Sequence, residues 1–194
     1  EIISALKNIV NACTLGSLNV EELPTFDLEY IFLNVRAKSV GEIAKLKVLC
    51  PDDKETYADV DIDLTKIEVQ VDDTHNNNIL IDENKKIGMT LKYPTLGSVD
   101  PETNFNGKTN TKVIFNIISK SIYQIYEGEK IYNASDYTND EMMKFIESLD
   151  TKTFKKVQEF YDTMPKLMHE IEVTNPKTNV KSKVVLQGLS DFFG

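Results

Sequence analysis

Few side chains in this sequence could do chemistry. Asp59, Asp61 and Asp63 alternate along one segment, and Asp72 and Asp73 follow closely. Clustered carboxylates can bind calcium or magnesium, or hold one proton between them. Alternate residues of a strand simply share its solvent face, however, and Lys45 and Lys47 lie on a segment able to pair with it. The cluster therefore reads as a solvated, salt-paired face. A metal-dependent hydrolase built on Asp59, Asp61 and Asp63 is the alternative of another class. Cys13, Cys50, His75 and His169 are the whole cysteine and histidine complement. Their spacing matches no paired zinc-ligand pattern. His75 reads as a surface residue of an asparagine-rich loop. His169, alternating with Leu167 and Ile171, reads as a satisfied, partly buried strand residue with no activated nucleophile beside it. No cysteine follows Cys50, so a zinc knuckle at that position is not expected. A nucleophile elbow, a phosphate-cradling glycine loop and a dinucleotide fingerprint are all absent. The expectation is no catalytic residue, no cofactor and no metal.

The elements that would position these residues follow from apolar periodicity. Ile2, Leu6, Ile9, Val10 and Cys13 recur at helical spacing over 1–14, and Gly16 ends the run. Leu23-Pro24 leads into a second helix with Thr25 as N-cap and Asp27 in its first turn, breaking near Gly41. Ala44, Leu46, Val48 and Cys50 then alternate with polar residues, as do Ala58, Val60, Ile62 and Leu64 after the Pro51–Lys54 turn. Folded as a hairpin, their apolar faces coincide and the lysines oppose the aspartates. Ile67, Val69 and Val71 give a third strand, and 79–81 with 87–91 a second hairpin. Residues 94–110, rich in Gly, Pro, Asn and Thr, read as a linker or long loop. A helix is expected over 111–126. Thr138 to Glu141 forms a capping box for the next helix, and Asp150 or Thr151 caps a third that stops before Pro165. Leu167 to Val173 and Val180 to Leu186 close the chain as a hairpin, leaving 188–194 as a short tail.

These elements predict an α+β fold: an N-terminal helical pair, a central antiparallel hairpin sheet, and C-terminal helices closed by a β-hairpin. The expected division is 1–93, a linker at 94–110, and 111–194, or one composite domain. With 194 residues the chain holds one ordinary domain or two small ones. Its 31 acidic against 22 basic side chains leave a net charge of −9, which a phosphate backbone would repel. Nucleic acid is therefore excluded as the expected partner. No apolar run approaches the ~20 residues of a membrane span, and no signal peptide is apparent. Two cysteines suit a reducing compartment. The chain starts at Glu1 rather than methionine, so a processed or truncated amino terminus is expected.

One property remains without a use. Phe26, Tyr30 and Phe32 crowd one short helix that leaves little room for a polar face, and Phe192 and Phe193 sit together near the end. Apolar surface of this kind is covered by the chain's own core or by a partner. An interaction protein is favoured over an enzyme. The candidate partner-binding residues are Phe26, Tyr30, Leu33, Arg36, Phe192 and Phe193. Alanine at both Phe192 and Phe193 is expected to weaken partner binding while leaving the isolated fold intact.

The run Leu23-Pro24-Thr25-Phe26-Asp27-Leu28-Glu29-Tyr30-Ile31-Phe32-Leu33-Asn34-Val35-Arg36-Ala37-Lys38-Ser39-Val40-Gly41-Glu42 resembles the hallmark segment of the baseplate hub proteins of T-even-type contractile-tailed phages, including cyanophages. Cys50-Pro51-Asp52-Asp53, Val60-Asp61-Ile62-Asp63-Leu64 and the closing Gly188-Leu189-Ser190-Asp191-Phe192-Phe193 are similar too. The resemblance covers most of the chain, with its specificity in residues 23–64. Some members carry a second cysteine near the hairpin turn, which this sequence lacks. The resemblance implies a non-enzymatic role in building the baseplate hub through association with other hub proteins or further copies of the chain. It implies a location in the virion baseplate, or in the host cytoplasm during assembly. A hub-assembly chaperone absent from the mature virion is the alternative within the same class.

Overall fold

A computed structural model describes residues 2–95 and 111–193. In chain order the helices are α1 (Ile2–Cys13), α2 (Thr25–Val40), α3 (Thr111–Ser121), α4 (Asn139–Glu147), α5 (Thr151–Thr163) and α6 (Gly188–Phe193). The strands are β1 (Ile43–Leu49), β2 (Tyr57–Asp63), β3 (Glu68–Gln70), β4 (Asn78–Asp82) and β5 (Ile87–Leu91), then β6 (Ile122–Glu127), β7 (Lys130–Asn133), β8 (Lys166–Thr174) and β9 (Lys181–Gln187). Among the described residues they form three antiparallel sheets, β1-β2, β3-β8-β9 and β4-β5-β6-β7. The fold is α+β.

Two compact units divide the chain, residues 1–70 with 165–194, and residues 71–164. The division falls at the β3–β8 ladder, where Gln70 and Lys166 are cross-strand partners, so the second unit is inserted between two adjacent strands of the first. The linker expected at 94–110, of which 96–110 lie outside the described residues, falls within the second unit. Pairing of Glu68 with Met168 leaves no local compositional mark, which is why the boundary was not legible.

In the first unit, β1 and β2 pair in the register that alternation predicts. Ala44, Leu46 and Val48 face Ile62, Val60 and Ala58, while Lys45 and Lys47 stand opposite Asp61 and Asp59. Leu33, Ala37, Ala44, Ile62, Leu64, Ile67, Leu167, Leu186 and Phe192 share the core. Helix α2 starts one residue earlier than expected: Pro24 occupies the N-cap, and its carbonyl accepts from the amides of Asp27 and Leu28 at 3.1 Å. Thr25, already helical, caps nothing.

The β1–β2 and β8–β9 turns are tied together by one buried amide. Asn175 is buried; its Nδ2 donates to both Asp52 oxygens at 3.0 and 3.1 Å, and its Oδ1 accepts from the amides of Lys177 and Thr178. The Thr178 hydroxyl also donates to Asp52, at 2.6 Å. Asn175→Ala would leave these turn amides and the carboxylate without the partner that orients them, and is expected to cost on the order of 1–3 kcal/mol in urea-induced unfolding. The Asn175 and Thr178 hydrogen bonds hold the Asp52 carboxyl below its ordinary value. The stability it contributes is therefore present above that ordinary value and is lost as pH falls through the lowered one.

In the second unit, β4, β5, β6 and β7 pack Ile79, Met89, Leu91 and Ile122 against Ile118, Met142, Ile146, Val157 and Phe160 of the helices. Residues 111–126 do not make one helix. α3 ends at Ser121, and Ile122-Tyr123-Gln124-Ile125-Tyr126 runs on as β6, paired on both sides and turned into β7 at Gly128 (φ 61°). The isoleucine spacing suits a helix, but β-branched and aromatic residues between two partner strands are better placed in a sheet. Ile118 and Ile122 are buried all the same. The Thr138–Glu141 capping box forms as expected, and Asp150 caps α5 by accepting from the Thr153 amide at 2.7 Å. Gly88 lies beneath its cross-strand partner Tyr126. A Cβ there would overlap the tyrosine ring and come 2.9 Å from the Ile79 carbonyl oxygen.

Candidate interaction surface

Helices α2 and α6 of the first unit carry the aromatic residues that stood out. Along α2, Phe26, Leu28, Leu33 and Ala37 are buried on more than one side of the helix, and Tyr30, Asn34 and Lys38 face solvent. Phe32 and Arg36 lie between, half-buried. α6 follows β9 directly, and its backbone turns at Gly188 (φ +69°), where the Glu29 carboxylate is 3.3 Å from the position a Cβ would take.

The two adjacent phenylalanines of α6 have opposite fates. Phe192 is 0% exposed and sits in the core beside Leu33. Phe193 is half-buried; its ring meets Phe32 edge-on at 5.9 Å, and the Arg36 guanidinium lies 5.7 Å from its centroid. Arg36 also donates from Nη1 to the Gly41 carbonyl at 3.1 Å, which holds the guanidinium in place at the end of α2. Of the six candidate residues, the structure brings Leu33 together with Phe192, and Arg36 together with Phe193. Phe26 is 8% exposed and Tyr30 38%. Alanine at Phe192 therefore strikes the fold itself, so the double replacement cannot leave it intact. Phe32 belongs to the same cluster; its place in the crowded helix was visible in the sequence, its pairing with Phe193 was not.

Glu29 lies on α2 about one turn before Phe32, where it accepts a hydrogen bond from the Leu189 amide. Burial pushes its carboxyl above the ordinary value, and the Leu189 bond only partly opposes this. The folded state thus favours the protonated form. Glu29 contributes stability below the ordinary carboxylate value and loses it as pH rises through the raised one. Glu29→Gln keeps an acceptor for Leu189 and removes the desolvated charge. It is expected to raise the unfolding midpoint at neutral pH and to flatten the stability–pH curve around the raised value, which thermal scans across pH would read.

The other chemistry-bearing residues are held apart. Asp59 and Asp61 face lysines in the β1–β2 ladder, while Asp63 accepts from the Thr65 amide at 3.1 Å and pairs with Lys66 at 3.3 Å. Among the described residues no three His, Cys, Asp or Glu side chains converge as a metal site. Cys50 is buried, and burial with the nearby Asp52 and Asp53 charges pushes its thiol up, against the thiolate that a nucleophile or metal ligand needs. His169 lies on the inner face of β8, opposite Leu186. His75 departs from its surface expectation. It packs against Phe160 at 5.2 Å and Tyr93 at 5.6 Å, with Nδ1 2.9 Å from the Thr163 hydroxyl. That hydroxyl donates to the Glu159 carbonyl at 2.7 Å, so Nδ1 carries the proton and donates to it. Burial holds the imidazole below its ordinary value, with Asp72 opposing.

Residues 1–194 match the family model described as T4 bacteriophage base plate protein. The chain belongs to that family. No curated protein and no solved structure matches it. A T4-type base plate protein associates with other phage tail proteins, and among the described residues no helix is long and apolar enough to cross a membrane. The half-exposed Phe32–Arg36–Phe193 cluster of this base plate protein has the composition of a protein–protein contact: aromatic rings with an arginine that is already held in place.

Proposed function

We propose that this base plate protein is a non-enzymatic building component of the central hub of a contractile-tail baseplate, acting by association with neighbouring hub subunits. The observation that carries the reading is the Phe32–Arg36–Phe193 cluster on α2 and α6, inside the segment whose sequence resembles hub proteins. Tyr30, Arg36 and Phe193 touch the neighbour, Leu33 and Phe192 support them from the core, and Phe26 is buried earlier on the same helix. The aspartates do no chemistry in this reading. The site of action is the virion baseplate, reached by assembly in the host cytoplasm.

Capture of tail proteins by the full chain tests it. Arg36→Ala with Phe193→Ala is expected to weaken capture by about tenfold or more, equivalent to about 1.4 kcal/mol at a contact centre. Unchanged capture by a folded variant would overturn this surface. Mass spectrometry of purified particles tests the hub assignment, since a transient chaperone would be missing from mature tails.

A further inference from the structure

A cavity of about 810 Å³ opens in the 71–164 unit where α3 passes into β6. Its composition is unlike the rest of this acidic chain. Lys92, Lys120, Tyr123, Tyr137, Ser119 and Met142 are among its lining, and among the described residues no Asp or Glu lines it. The two lysines leave the backbone from neighbouring places, because the Lys92 amide donates to the carbonyl of Ser121 at 2.7 Å and Lys120 precedes that serine. Neither forms an ion pair with a described residue. The polar side chains at the floor are already fixed. Buried Ser119 donates to the Asn139 Oδ1 at 2.8 Å, and the Asn139 Nδ2 donates to the Asn116 Oδ1 at 3.0 Å. At the rim stand Tyr123, 58% exposed, and Tyr137, 40% exposed.

We propose that this cavity binds an acidic peptide segment, with a carboxylate seated between Lys92 and Lys120 and an apolar side chain against Tyr123, Tyr137 and Met142. Two lysines lining one cavity from adjacent backbone positions gain from a shared counter-charge. The volume falls within the ~300–1,000 Å³ range of small-ligand pockets, and so has room for more than an ion. Rigid tyrosines add contact area at small entropic cost. Inorganic phosphate could meet the two lysines, but the apolar surface of Tyr123, Tyr137 and Met142 beside them suits a peptide side chain. Resting on the proposed function, the segment belongs to a neighbouring tail protein. The site is separate from the α2–α6 cluster and lies in the other unit.

Calorimetric titration of the full chain with a blocked Glu-Phe-Glu-Phe-Glu peptide tests this, with Gln-Phe-Gln-Phe-Gln and inorganic phosphate as the other arms. The acidic peptide should bind, weaken with added salt, and be displaced poorly by phosphate. Lys92→Gln with Lys120→Gln should lower its affinity about tenfold or more, while circular dichroism and the unfolding midpoint stay unchanged. Equal binding by that variant, equal binding of the glutamine peptide, no binding of the acidic peptide, or equally effective phosphate would each overturn the site. Should the double substitution itself disturb folding, Lys92→Arg with Lys120→Arg must keep the affinity and the salt dependence; their loss would overturn it too. The hub reading fails separately: absence of the protein from purified particles would sink that reading and leave peptide binding standing.

Discussion

Phe192→Ala is expected to cost the first unit about 3–5 kcal/mol, the range for truncating a fully buried phenylalanine. The ring is 0% exposed and packs among Leu33, Ala37, Ala44, Ile62, Leu64, Ile67, Leu167 and Leu186, residues drawn from helices and strands along the whole of that unit. Its removal opens a cavity that so many separate elements can close only by moving together. Domains are typically stable by about 5–15 kcal/mol, so the loss is a large share of the total. Urea unfolding followed by circular dichroism reads it directly. Phe193→Ala, one position away, should lower the midpoint far less, because that ring is half-exposed and gives up chiefly its edge contact with Phe32 and its place under Arg36. Similar losses from the two substitutions would mean that α6 does not pack as described.

The second large effect is expected in the other unit. Phe160 is 1% exposed and is the ring on which three others rest: Tyr161 at 5.1 Å, His75 at 5.2 Å and Tyr93 at 5.8 Å, the last nearly parallel at 13°. Phe160→Ala should again cost about 3–5 kcal/mol, with aromatic pairs adding about 0.5–1.5 kcal/mol beyond their buried area. A second readout separates loss of this stack from general loosening. Burial holds His75 below its ordinary value, so the unit loses stability as pH falls through the ordinary histidine value towards the lowered one. With Phe160 gone, water reaches the imidazole and its value should rise, so NMR titration of the His75 ring would move towards that of an exposed histidine. Phe160→Leu, which keeps most of the volume, should give a smaller stability loss and a smaller shift. A His75 titration unchanged in the alanine variant would show that Phe160 is not what keeps water from the ring.

Much of this base plate protein was legible in local pattern. The β1–β2 hairpin, with Lys45 opposite Asp61 and Lys47 opposite Asp59, follows from alternation and a Pro-Asp-Asp turn, which act over neighbouring residues. The Thr138–Glu141 capping box and the Asp150 cap likewise involve groups three residues apart. The crowding of aromatic residues on α2 marked the region of the candidate surface, and the same segment carried the family resemblance.

Tertiary structure alone decided the rest. Phe192 and Phe193 are the same residue type side by side, yet a helix turns about 100° per residue, so one ring enters the core and the other lies over Phe32. Which ring does which depends on β1, β2 and β8, whose residues come from distant parts of the chain. The same holds for the break between α3 and β6, made by strands on both sides of Ile122–Glu127. It holds for His75, drawn from a polar loop into an aromatic stack by Phe160, and for the lysine-lined cavity at the end of β5. Sequence specifies what each residue offers within a few positions of itself. Burial and charge environment depend on what the folded chain brings beside it.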